Sequence, residues 1–336
     1  MSSVRNGAWR LLAAAALTLC LPAAQASTAA YDEMLAAGLT EEGIFPRIVI
    51  RDDIGLAGAA TFASNPLFSG VAALGTAGGN YCSGVLIAPT VVLSARHCGP
   101  LVGDQVRFGA TYVSGSSFSI SAVSFPGGGS AGSPLLNGSD VAIVTLSSAV
   151  PSSVATPLRL MADTTAIVGS PVVTLGYGRR GIGSTGVTLG TGVRLGGTNV
   201  LDRYGQAVNT ALNIAGTTNI FSTDFDNPSG TSNTLGWLGS SVTATSFEAT
   251  TAGGDSGGPL LFDNDGTWTI LGVLSGGTTN NSVYGDISWW TGVAPFRAQI
   301  EAAGGVFVSV VPEPGAYALM LLGLTVVGAR LRRANA

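Results

Sequence analysis

One hexapeptide, Gly254-Asp255-Ser256-Gly257-Gly258-Pro259, sets a serine hydroxyl among glycines. Glycine before and after the serine lets the backbone fold tightly enough to present Ser256 Oγ and to aim N–H groups at a common point. Those donors would be the amides of Gly254 and Ser256, placed where a tetrahedral oxyanion forms. Losing one such donor typically costs about 2.7–4 kcal/mol of transition-state stabilisation. A serine hydroxyl is a weak nucleophile at neutral pH and needs a base beside it. The chain offers one imidazole, His97, in Leu93-Ser94-Ala95-Arg96-His97-Cys98. A lone histidine is more often structural, but this one follows a strand-like run and directly precedes a cysteine. Cys82 lies sixteen residues upstream of Cys98. A Cys82–Cys98 bridge would close a loop worth about 3 kcal/mol in the chain-entropy model and fix the histidine's strand end. The other reading of the pair is two free buried thiols.

The imidazole in turn needs an acceptor for its second N–H, to hold the tautomer and stabilise the imidazolium. Between His97 and Ser256 the candidates are Asp104, Asp140, Asp163, Asp202, Asp224, Asp226 and Asp255. Asp140 stands out, because Gly138-Ser139 precedes it and the run Val141-Ala142-Ile143-Val144-Thr145-Leu146 follows, which puts a carboxylate at the mouth of a buried strand. A turn aspartate at a strand start fits the same residues, so spacing alone leaves the choice open.

The elements that must carry these groups are mostly strands. Val85-Leu86-Ile87, Val91-Val92-Leu93, Val141 to Leu146, Val172 to Leu175 and Ile270 to Leu274 are short β-branched and aliphatic runs, separated by Gly, Ser, Thr, Asn and Pro. Helical patterns are scarce: Ala30 to Gly38 and Val293 to Ala303 are the two candidates. Many short strands with turn signals predict an all-β barrel or sandwich. The glycine-rich stretches Gly127 to Gly138 and Gly181 to Asn199 read as surface loops and edge strands, and there is no internal repeat.

Composition removes other classes. With 46% hydrophobic and 10% charged residues the chain is not disordered by high charge, and its 49 glycines follow no Gly-X-Y period, which excludes collagen. All fifteen basic residues are Arg, and a net charge of −4 with a pI near 4.9 offers no basic patch, so no nucleic-acid partner is expected. One histidine and three cysteines exclude a site with two His ligands or a four-Cys zinc cage. No metal and no organic cofactor is expected.

The ends read as targeting segments. Arg5 and Arg10, the apolar run Leu11 to Leu21 and Ala24-Gln25-Ala26 make residues 1–26 a secretory signal peptide cut after Ala26 by signal peptidase. Cys20 leaves with it, so the exported chain keeps Cys82 and Cys98 in a disulfide-permissive setting. At the other end, Val311-Pro312-Glu313-Pro314 precedes the uncharged segment 315–329 and then Arg330, Arg332 and Arg333. Fifteen residues fall short of the ~20 needed to cross the hydrocarbon core, and the arginines would stay cytoplasmic. This order resembles the PEP-CTERM sorting signal of bacteria. The resemblance implies processing by an exosortase-type enzyme at the inner membrane, only transient membrane contact through the tail, and a protein released or held at the cell surface.

The middle of the chain resembles the chymotrypsin/trypsin-like serine peptidases. Their T-A-A-H-C appears as Ser94-Ala95-Arg96-His97-Cys98, their D-I-A-L as Asp140-Val141-Ala142-Ile143, and their G-D-S-G-G-P is intact; Gly176-Tyr177-Gly178 is similar to G-W-G, and Ser275-Gly276-Gly277 to S-W-G. The order His, Asp, Ser is that family's order. The resemblance covers about residues 45–308. It implies two six-stranded antiparallel β-barrels with the site in the cleft between them, a short C-terminal helix, and protein or peptide substrates. It implies His97, Asp140 and Ser256 as the triad, with Gly254 and Ser256 as oxyanion donors. The specificity pocket would comprise Thr250 at the floor with Ser275, Gly276, Gly277 and Ser282. Thr250 carries no charge, so cleavage after uncharged residues is expected. The chain departs from the family after Arg47-Ile48-Val49, where Ile50-Arg51 replaces two glycines, which leaves open whether cleavage at Arg47-Ile48, pairing Ile48 with Asp255, is needed for activation. The organisation expected is a signal peptide (1–26), an N-terminal extension or propeptide (27–44), a peptidase domain (45–308) and a sorting tail (309–336). The rival reading is a non-catalytic, peptidase-like surface or matrix-binding protein.

Overall fold

The computed structural model describes residues 47–128, 137–162, 167–205, 219–279 and 281–310. The expected signal peptide, the extension 27–44, the hydrophobic segment 315–329 and Asp163 lie outside these residues. Among the described residues no helix is long and apolar enough to cross a membrane.

The chain enters through β1 (Arg47–Ile50) and a helix, Gly55–Ala63, that the sequence reading did not anticipate. Its alanine-rich composition favours a helix, and Ala59 and Ala63 are its buried residues. Six strands follow: β2 (Val71–Thr76), β3 (Gly79–Ala88), β4 (Val91–Ser94), β5 (Gln105–Phe108), β6 (Ser116–Ser124) and β7 (Ala142–Leu146). They close into an antiparallel barrel in the order β2-β3-β4-β7-β6-β5. Side chains alternate between faces with period two. Leu86, Val92, Ala142 and Val144 therefore fill the barrel with Ala72, Leu74, Val106 and Phe108, while Val85, Leu93 and Ile143 join Val173, Leu175, Tyr177, Leu261 and Val273 of the second half. Both faces of β3 and β4 are thus core, which is why they read as continuous apolar runs.

The second half corrects the expectation of a second six-stranded barrel. It contains β8 (Arg159–Met161), β9 (Pro171–Gly176), β10 (Arg180–Ile182), β11 (Gly186–Leu189), β12 (Leu195–Val200), β13 (Arg203–Tyr204), β14 (Ile220–Asp224), β15 (Ala249–Ala252), β16 (Pro259–Asn264), β17 (Thr267–Gly277), β18 (Ile287–Gly292) and β19 (Phe307–Val308). Seven of these form an open, curled path, β12-β9-β16-β17-β18-β14-β13, with β8 parallel to both β17 and β19. Beside the open edge, Asn199 Nδ2 of β12 donates to Asp224 O of β14 (2.7 Å) and to Ala249 O of β15 (3.0 Å). A separate four-stranded sheet, β11-β10-β1-β15, accounts for the remaining strands. The predicted C-terminal helix is present as a 3-10 turn, Ala294–Phe296, running into the helix Arg297–Ala302.

Candidate active site

His97 sits in a 3-10 turn, Arg96–Cys98, immediately after β4. Cys98 is bonded to Cys82 on β3 with Cα atoms 6.2 Å apart, so the turn is stapled to the neighbouring strand. Asp140, just ahead of β7, which pairs with β4, is fully buried and meets the histidine twice. The His97 backbone N–H donates to Oδ1 (2.8 Å) and ring Nδ1 lies 2.7 Å from Oδ2. A carboxylate accepts, so Nδ1 carries the proton and the neutral ring keeps its lone pair on Nε2. The imidazole is 22% exposed, so that lone pair remains at a solvent-accessible ring. The other aspartates go elsewhere. Asp104 accepts from Tyr81 Oη (2.7 Å) and the Leu101 N–H (3.1 Å), and Asp202, Asp224 and Asp226 are buried in the second half.

The turn Gly254–Gly258 lies between β15 and β16, and its backbone bonds can be followed one by one. The Asp255 N–H donates to Ala252 O, the Gly257 N–H to Leu274 O and the Gly258 N–H to Asp255 O. Gly254 O accepts from Ser83 Oγ (2.8 Å) and Ser256 O from the Ser83 N–H (2.8 Å). From Gly254 to Gly258, the N–H groups of Gly254 and Ser256 are the two left without a partner among the described residues. Such a pair of free donors is what a developing oxyanion requires. Gly254 (φ +97°) and Gly257 (φ +79°) both occupy the left-handed region that favours glycine. Cys98 Sγ is 3.7 Å from Ser256 O, a packing contact since a bridged sulfur has no proton to donate; it sets the staple against the serine's own peptide.

Asp255 is fully buried and its carboxylate accepts two backbone N–H groups, from Gly178 (2.7 Å) and Ala252 (2.7 Å). Burial pushes its pKa up to about 8, against the lowering effect of the backbone N–H groups of Gly178 and Ile48. Ile48, the residue considered for activation, lies in β1 opposite Thr251 of β15, with Arg47 opposite Ala252.

The predicted pocket residues lie on β15, β17 and the loop after it. Thr250, Ser275 and Ser282 are buried, with Ser282 Oγ donating to Thr251 O (3.0 Å) and Ser275 Oγ 2.8 Å from Thr291 Oγ1. Gly276 and Gly277 belong to β17, and Gly277 pairs with Ser288. Sequence reasoning missed Ser288, whose Oγ is 2.8 Å from both Thr250 Oγ1 and Thr251 Oγ1. A serine inside the apolar strand Ile287-Ser288-Trp289-Trp290 was the available signal. Asp286 accepts from Thr279 Oγ1 (2.5 Å) and the Val283 N–H (3.1 Å), and burial raises it to about 6. Ligand-type atoms of Cys82, His97 and Cys98 lie within 4.8 Å of one another, but the two sulfurs are bonded to each other, which leaves no thiolate to hold a metal.

A family model described as Trypsin matches residues 63–300, and one described as PEP-CTERM protein-sorting motif matches residues 310–334. No curated protein matches the chain.

Proposed function

The chain belongs to the trypsin family and carries a C-terminal PEP-CTERM sorting motif, and on that premise we propose that it is an exported serine endopeptidase. The sorting motif goes with an extracytoplasmic or cell-surface location and with processing at the inner membrane by an exosortase-type enzyme. In the proposed reaction Ser256 Oγ attacks a peptide carbonyl while His97 Nε2 takes its proton. The tetrahedral oxyanion is held by the N–H groups of Gly254 and Ser256. His97 then returns the proton to the leaving amine, leaving an acyl-enzyme that water attacks by the same route. Asp140 fixes the ring and stabilises the imidazolium.

The observation that carries this reading is the two-point hold of His97 by a fully buried aspartate, 2.8 Å to the backbone N–H and 2.7 Å to Nδ1. Such a pair fixes tautomer and direction at once, which a purely structural histidine does not need. The uncharged hydroxyl cluster of Thr250, Thr251 and Ser288 supports a preference for uncharged residues before the scissile bond, because a buried guanidinium without a partner costs several kcal/mol. The domain limits proposed are those given by the sequence: a mature peptidase domain within 45–308, preceded by an extension and followed by the tail. The deciding experiment is labelling of the secreted protein by a fluorophosphonate beside Ser256→Ala. Labelling confined to the wild type is expected; a folded wild type that does not label favours a matrix-binding protein instead.

A further inference from the structure

We propose that Ser83 is a positioning residue for the oxyanion donors, an inference that rests on the endopeptidase reading. Ser83 stands on β3, with its side chain on the same face as Val85 and Ile87, the face packed against the second half. It is fully buried, and a hydroxyl in such a place is costly unless it is hydrogen-bonded. Every polar group of Ser83 has a partner. Its Oγ donates to Gly254 O (2.8 Å) and accepts from the Tyr177 N–H (2.9 Å). Its N–H donates to Ser256 O (2.8 Å), and its carbonyl accepts from Ser94 Oγ (2.7 Å). Three of these four bonds cross to the second half, and two hold the carbonyls on either side of Asp255.

The consequence follows from peptide planarity. Each peptide unit is rigid, with its carbonyl and N–H pointing in opposite directions, so a held carbonyl fixes the plane. Gly254, at φ +97°, is free to rotate as other residues are not. Rotation there would swing the Gly254 N–H out of the anion site or bring a carbonyl into it. Two anchors prevent this. The Arg179 N–H holds Gly253 O (2.8 Å), which fixes the plane carrying the Gly254 N–H, and Ser83 Oγ holds Gly254 O, which fixes the plane after it. Ser83 touches no reacting atom; it acts through the turn.

The test is steady-state kinetics of the secreted protein on a fluorogenic peptide, expressed per serine titrated with a fluorophosphonate, for wild type, Ser83→Ala and Ser83→Gly. Both variants should keep the wild-type KM and the wild-type pH midpoint of the rate. Their kcat should fall about three- to tenfold, as loss of one hydrogen bond acting on the transition state implies. Affinity for a peptidyl boronic acid, which places an oxygen in the anion site, should fall by the same factor. An unchanged kcat per titrated serine in either variant overturns the inference, and so does a lower kcat with boronic-acid affinity intact. Wild-type protein that takes up no fluorophosphonate overturns the endopeptidase reading and this inference with it, and that outcome is visible without any variant.

Discussion

The two halves reach their shape by different means. In the first, backbone ladders close the ring, and among the described residues its buried polar side chains are Ser83, Ser94 and Asp140, which bond to Gly254, to Ser83 and to His97 respectively. In the second the ring stays open, and its buried groups include Asp202, Asp224, Asp226, Glu248, Asp255 and Asp286. Asp202 Oδ2 accepts the Asp224 N–H (2.9 Å), Asp224 Oδ2 accepts the Leu235 N–H (2.6 Å), and Glu248 Oε2 accepts the Thr245 N–H (2.6 Å). Burial raises all of these acids, with Asp226 at about 8 and Glu248 at about 7, while the Asp202–Asp224 pair is raised by burial and, at Asp202, also by its neighbour's charge. The half that carries His97 and Asp140 is closed by backbone ladders. The half that carries Ser256 and Thr250 holds a group of buried acids whose pKa values burial raises.

The sharpest way to break this contrast is to remove chemistry without removing structure. Ser256→Ala or His97→Ala should lower turnover by about 10³-fold or more while the unfolding midpoint stays near wild type. Asp140→Asn should do comparable damage. If Asp163→Asn slows the reaction instead, the orienting residue has been misassigned.

A smaller effect is expected from opening the staple. Replacing Cys82 and Cys98 together by alanine should cost about 3 kcal/mol of stability. Amide exchange should quicken first in β3 and β4, and faster exchange in β17 and β18 instead would show that the halves do not unfold as distinct units.

The pH dependence separates the halves next. Asp226 and Glu248 have folded pKa values above their ordinary ones of 3.8 and 4.5, so between those limits the folded state binds more protons than the unfolded one. Their contribution is fully present below pH 4 and is lost as pH rises through 7 and 8. Exchange protection of β14 and of residues 235–248, corrected for intrinsic rates, should therefore fall from pH 5 to pH 9, while β3, β4 and β7 hold theirs. Asp202→Asn should flatten the slope; equal loss in both halves would end the comparison.

The smallest effect concerns the pocket. A peptide library should show cleavage after uncharged residues and little after Arg, Lys or Glu. Ser288→Ala should shift preferences by about tenfold or less, the scale on which small changes in a pocket discriminate. A profile dominated by Arg or Lys would mean that Thr250 is not the floor, or that an acid such as Asp286 reaches the pocket from another loop.

What could be read in the sequence was local. The Ser256 hexapeptide, the strand just before His97 and the strand beginning after Asp140 each announce themselves within six or seven residues, because tight turns and strand mouths restrict residue type. Ser83 and Ser288 escaped because what they do is set by partners far along the chain, 171 residues away for the Ser83–Gly254 bond and 38 for Thr250–Ser288. The open sheet escaped for the same reason. Strand propensity says which runs are strands but not which edges pair, and the Asn199–Asp224 bond at that edge spans 25 residues. The helix Gly55–Ala63 was missed because its small residues carry little periodic pattern.

Gly257 shows why the six-residue signature is so compact. A Cβ placed there would run into Ser94 Oγ, Ser83 O and Ala95 N, all belonging to the first half. The Ser256 turn is therefore a seam, cut to fit one partner surface. In the language of modular inheritance, the hexapeptide is not a portable part. A recombination in the connection between β7 and β8, where Ser147 to Ala149 and Pro151 to Ser153 lie exposed, would carry the spelling away from the wall that gives it shape. Residues 83–95 and 254–258 make sense only together, and it is the matched pair, not the motif, that a chimeric chain would have to keep.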